Sequence, residues 1–195
     1  AEYCRVTRMI RDIPSQDIVV GNKKTNFRQI AQQKIAELNL AVQEIRSREI
    51  RREKFDPSKV YLKVLSYETT VSQEKFLQFV VPVEQKGRQQ EKILAFLRLS
   101  LPKQVDNAVA QAQAELNQAA IVRELHVYGP ALAIGQKNSQ QAQHFGFGRR
   151  LIAQAQKLAQ QAGYEKLAVI SAVGTREYYR KLGFRDGELY QFLSL

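Results

Sequence analysis

Cysteine is almost absent from this 195-residue chain: Cys4 stands alone. It cannot form an internal disulfide, and with no cysteine or histidine partner at ligand spacing it builds no zinc or iron–sulfur site. Long apolar runs are missing too. The longest are strand-sized, too short for a membrane-spanning helix, and the first residues lack the basic and apolar regions of a secretory signal, so the chain reads as cytoplasmic. There are no internal repeats. Acidic residues are scarce, 19 against 30 Lys and Arg, which leaves a net charge of +11. That imbalance favours an anionic partner held through phosphates, with RNA the first candidate. Because no RNA-recognition aromatic motif is visible, such contacts would be with backbone and shape.

What is present is a globular composition, 44% hydrophobic and 25% charged, sufficient for one substantial core and a smaller appendage. Residues 1–20 read as an extended lead containing Pro14. A helix starting near Thr25 or Asn26 carries Phe27, Ile30, Ile35, Leu38 and Leu40. A linker with the densest basic cluster follows: Arg46, Arg48, Arg51, Arg52 and Lys54. Residues 60–67, 76–83 and 92–101 read as three strands of an antiparallel meander. The Ala- and Gln-rich stretch 104–119 reads as a loose helix or an insert. Residues 120–128 form the next strand. Leu151, Ile152, Ala155, Leu158, Ala159 and Ala162 then recur at helical spacing, with Gly163 as a left-handed stop. A buried strand over 166–171, a short helix from Gly174-Thr175 to Gly183, and a last strand over 188–195 complete the chain. Tyr190 and Phe192 share one face of that last strand.

The chemistry concentrates around Gln143-His144-Phe145-Gly146-Phe147-Gly148. Two glycines let the backbone approach a ligand closely, and the helix they open offers unpaired amides and the positive end of its dipole to an anion. No third glycine stands at the dinucleotide-fold spacing, so the motif taken alone is weak. Arg149 and Arg150 follow in the first helical turn, where they can meet phosphates. His144 is read as ordering the loop. Tyr178 and Tyr179 sit in the first turns of the later helix; a phenol there either packs in the core or donates a proton to a leaving thiolate. On the strand before the loop, alternation puts Glu124 and His126 on one face, as a base pair or as a surface ion pair.

These motifs resemble the GNAT acetyltransferase superfamily over residues 121–195. At finer grain, the segments 121–129, 143–148 and 168–184 are similar to the acetyltransferase domain of the Elongator catalytic subunit family. Arg11-Asp12-Ile13-Pro14 and Arg46-Ser47-Arg48-Glu49-Ile50 are similar to segments just upstream. The resemblance implies an α+β fold with a mixed central sheet flanked by helices over 57–195, preceded by a helical and linker segment over 1–56. It implies acetyl-CoA as cofactor, held by Glu124, Leu125, His126, Val127, Gln143, Phe145, Gly146, Phe147, Gly148, Arg149, Arg150 and Tyr179. Glu124, His126, Tyr178 and Tyr179 are the catalytic candidates.

The resemblance also implies tRNA as partner, contacted by Arg46, Arg48, Arg51, Arg52 and Lys54, in modification of carbon 5 of the wobble uridine. The family's radical-SAM domain and other Elongator-type subunits are implied as further partners, with S-adenosylmethionine and the 4Fe-4S cluster outside this chain. Protein or histone lysine acetylation, and a non-catalytic tRNA-binding module, are the alternatives. Family members often carry a cysteine of a structural zinc site where this chain has Val42, so no metal is expected. A start at Ala1 rather than Met reads as a fragment or a naturally short form.

Overall fold

A computed structural model describes residues 1–6, 15–21, 23, 26–38, 40, 42–51, 53–85, 88–103, 114–128 and 146–195. They form two units, Ala1–Glu49 and Ile50–Leu195. The division falls earlier than the sequence boundary at 56/57. Ile50 explains this: its N–H donates to Ile93 O at 3.0 Å, and Glu53 pairs with the buried Lys92 at 3.3 Å, tying the segment to the second unit.

In the first unit, α1 spans Phe27–Glu37 and buries none of its residues. The expected linker contains a short helix, α2 (Ile45–Arg48). Glu44 caps it by accepting from the Arg46 N–H at 3.0 Å, and the buried Ile45 donates its N–H to Cys4 O at 2.9 Å. The lead is less extended than expected, with a 3-10 turn over Ser15–Asp17.

The second unit is built on a seven-stranded mixed sheet, ordered β1-β2-β3-β4-β5-β7-β6. Strands β1 (Tyr61–Glu68), β2 (Ser72–Gln85) and β3 (Arg88–Pro102) form the antiparallel meander, and β4 (Ala119–Val127) pairs antiparallel with β3. The chain then crosses through α3 (Phe147–Gln161) to β5 (Lys166–Val169), which runs parallel to β4. After α4 (Arg176–Arg180), the short β6 (Arg185–Asp186) and β7 (Gln191–Ser194) close the sheet. Leu151, Ile152, Ala155 and Ala159 of α3 pack with Leu77, Phe79, Leu97, Leu99 and Val122 of the sheet. Gly163, at φ +83°, stops the helix as its sequence position predicts. Strand β5 ends two residues sooner than expected, and Ile170 is exposed.

Candidate functional site

β4 and β5 separate. Their pairing runs from Ala119↔Lys166 to Val122↔Val169 and stops, while β4 continues to Val127 on β3 alone. At that point β4 carries a bulge. Arg98 faces Glu124 and Leu99 faces Val122, which leaves Arg123 as the additional residue. A bulge bends its strand and increases the local twist, turning the second half of β4 away from β5. Among the described residues the two strands thus part beyond Val122 and Val169, in a V. Among the described residues, no strand covers the β4 edge from Arg123 to Val127 on the β5 side.

The start of α3 stands beside this opening. Gly146 takes φ +62°, the left-handed region that favours glycine, and among the described residues nothing lies within 4 Å of where its Cβ would be. It offers no side-chain cap, and the first amides of any helix lack intrahelical acceptors. Gly148 is buried and needs its missing side chain for another reason: a Cβ there would overlap the Tyr178 hydroxyl and sit 3.6 Å from Val127 Cγ2. One corner therefore joins β4, the start of α3 and α4. Arg149 and Arg150 are both exposed. The Arg150 guanidinium lies 4.4 Å from the Phe79 ring centroid and 5.5 Å from that of Phe147, so aromatic faces hold its charge in place. Gln143 and Phe145 lie outside the described residues.

The two tyrosines divide. Tyr178 is partly exposed with its hydroxyl over Gly148; burial raises its pKa, and the Arg149 charge works the other way. Tyr179 is buried in the core, edge-on to Phe184 at 5.4 Å and to Tyr178 at 5.2 Å. Burial pushes its hydroxyl up to about 12. Tyr179 thus packs in the core, and the phenol beside Gly148 is that of Tyr178.

Leu125 and Val127 pack toward α3. Glu124 and His126 share the opposite face, with Glu124 Oε1 2.9 Å from His126 Nε2. The other Glu124 oxygen accepts from Arg98 Nε at 2.7 Å. The hydrogen bond from His126, then those from Arg98 and its charge, hold the carboxyl down to about 2 against the cost of burial. Such a carboxylate is a weak base. Sequence reading missed Arg98, whose only signal is a charge inside the apolar run Leu94–Leu101. It lines a cleft of about 300 Å³ with Tyr67, Glu74, Arg123 and Glu124. Glu74, 2% exposed, accepts there from Ser72 Oγ at 2.6 Å and Ser100 Oγ at 2.7 Å.

The residues of the basic cluster differ in their surroundings. Arg48 is buried, its Nε donating to Gln43 O at 2.9 Å and its Nη2 to Glu2 O at 2.8 Å. Its guanidinium is thus held by two main-chain carbonyls. Arg46 belongs to the first unit, Arg51 and Lys54 are exposed in the second, and Arg52 lies outside the described residues.

No family model matches the chain. Over 187 residues, 93% of this chain, it is 32% identical to Elongator complex protein 3 of Schizosaccharomyces pombe. Over 186 residues, again 93%, it is 36% identical to the tRNA uridine(34) acetyltransferase of Dehalococcoides mccartyi. Those matches cover 33% and 38% of the two proteins, so the chain spans little more than a third of their length. Among solved structures, the archaeal Elp3 of Methanocaldococcus infernus with an N-terminal deletion matches at a TM-score of 0.76 and 31% identity, over 97% of this chain and 44% of that one. The chain is thus a homologue of Elongator complex protein 3 and matches one part of that protein's length.

Proposed function

We propose that this chain binds acetyl-CoA and breaks its thioester as the acetyl-handling part of an enzyme that modifies uridine 34 of tRNA. The parting of β4 from β5 beside the uncapped start of α3 carries this reading. The residues there fit the cofactor. Among the described residues there is open space where a Gly146 Cβ would be, the first amides of α3 would meet an anion with the helix dipole behind them, and Arg149 and Arg150 add charge for a diphosphate. The β4 edge from Arg123 to Val127, on which no strand pairs on the β5 side among the described residues, offers backbone groups to an amide-bearing arm and to the thioester carbonyl.

Around the thioester, each residue does a separate job. The Tyr178 hydroxyl, a phenol already protonated at neutral pH and shifted further up by partial burial, donates to the departing sulfur. His126 takes the proton of the attacking nucleophile, while Glu124 stays charged and orients the imidazole. The net charge of +11, with Arg51 and Lys54 exposed in the same unit, supports a polyanionic acceptor, and the D. mccartyi relative's name supports tRNA. Titration calorimetry tests the reading: acetyl-CoA binds the wild type and not Gly148→Arg, whose side chain blocks the corner. Absence of heat with the wild type would overturn it.

A further inference from the structure

Glu124 links two side chains through its two oxygens. Oε2 accepts from Arg98 Nε at 2.7 Å, and Oε1 lies 2.9 Å from His126 Nε2. Arg98 is well held for this task. Its side chain is 18% exposed, its guanidinium lies 5.1 Å from the Phe76 ring centroid and 5.8 Å from that of Phe96, and Nη1 reaches Tyr67 Oη at 3.5 Å. With its pKa at about 2, Glu124 is ionised at neutral pH, and an ionised carboxylate only accepts hydrogen bonds. The proton between Oε1 and His126 must therefore sit on Nε2. In a neutral imidazole this leaves Nδ1 with the lone pair. Phe96, stacked at 5.1 Å, and Tyr128, stacked at 6.2 Å, fix the ring plane.

We propose that Arg98 is a positioning residue: it pins Glu124, which holds the Nε2–H of His126 and so presents Nδ1 as the atom that takes the nucleophile's proton. This rests on the acetyl-CoA reading above. In the step itself, a water oxygen or amine nitrogen forms a bond to the acetyl carbon while the carbon–sulfur bond breaks. The nucleophile's proton passes to Nδ1 and the sulfur takes one from the Tyr178 hydroxyl. His126 then releases its proton and Tyr178 regains one, with no oxidant or reductant involved.

Nitrogen-15 NMR of the full chain tests this without any ligand. The chain has only two histidines, and the His126 signals are assigned by their loss in His126→Gln. At about pH 8.5, roughly two units above the ordinary histidine pKa, the wild type is expected in the Nε2–H form. Arg98→Met, checked for folding by circular dichroism, is expected to show a tautomer mixture and about a 100-fold lower kcat with little change in KM. Arg98→Lys, which keeps a cation beside Glu124, is expected to restore most of the Nε2–H signal. An Nδ1–H wild type, or a folded Arg98→Met with the wild-type pattern, would overturn the proposal. The expected tautomers without acetyl-CoA cleavage by the wild type would instead overturn the acetyl-CoA reading, and the catalytic role with it.

Discussion

Gly148→Ala separates folding from chemistry. The position is helical, so no left-handed strain opposes an alanine, and the Gly→Ala exchange favours the helix by up to about 1 kcal/mol. Against this stands the new methyl group, which overlaps the Tyr178 hydroxyl. That hydroxyl is the tip of a rotatable side chain with an exposed flank, so it moves at small cost. The two effects offset, and the melting temperature is expected to change by no more than about 4 °C. Catalysis does not escape so lightly. A displacement of about 1 Å at a reacting group costs on the order of 100-fold in rate, or about 2.7 kcal/mol. Tyr178→Phe removes the same hydroxyl and is expected to cost a similar factor. In the double variant there is no hydroxyl left to displace, so the losses should not add. Rates of acetyl-CoA cleavage for the four proteins, with melting curves, make the cycle. Additive losses, or a Tyr178→Phe enzyme of normal rate, would refute the placement of Tyr178 at the reaction.

Tyr179→Phe is expected to keep the cleavage rate, since the ring and not the hydroxyl packs against Phe184, whereas Tyr179→Ala should lose about 3 to 5 kcal/mol of stability in a urea titration. Replacing Arg46, Arg51 and Lys54 with glutamine should flatten the salt dependence of tRNA binding in a mobility-shift series, the slope falling by roughly one for each phosphate left without its cation. Arg48→Ala should instead weaken folding of the first unit, and an unchanged slope in the triple variant would move the RNA surface elsewhere. For Glu124, the folded pKa of about 2 lies below the ordinary 4.5. Its pairing therefore stabilises the fold above about pH 4.5 and is lost as the pH falls toward 2. Glu124→Gln should lack that part of the acid-unfolding profile, and an identical profile would argue against the pair.

The sequence shows most clearly what is local. Helix α3 follows from the spacing of its apolar residues and from Gly163, and the meander from its alternation. Less local features stayed hidden. Strand β2 begins at Ser72, earlier than its apolar run, because the buried Glu74 finds hydroxyl partners on its own strand and on β3. Helix α2 is only four residues long and depends on a capping carboxylate and on Arg48 bonds to Glu2, 46 positions away. Tyr178 and Tyr179 are neighbours in sequence but about 100° apart around a helix. Only the packing of α4 decides which faces Gly148.

The bulge at Arg123 is the least legible feature and the one on which the site most depends. Val122 packs in the core beneath α3, so strict alternation would send Glu124 and His126 to that same apolar side. One additional residue reverses the phase: Leu125 and Val127 pack toward α3, and the carboxylate and imidazole reach the opposite face beside Arg98. The same residue marks where β5 leaves β4, so a single irregularity opens the V and aims the side chains at its far side. Deleting Arg123 should therefore do more than remove a charge. Without the bulge, either Glu124 and His126 are driven into the core, where an unpaired carboxylate is strongly destabilising, or the strand fails to pair. Circular dichroism and gel filtration of the deletion variant are expected to show loss of the native fold, and a folded variant that still cleaves acetyl-CoA would show that the bulge sets neither the opening nor the face.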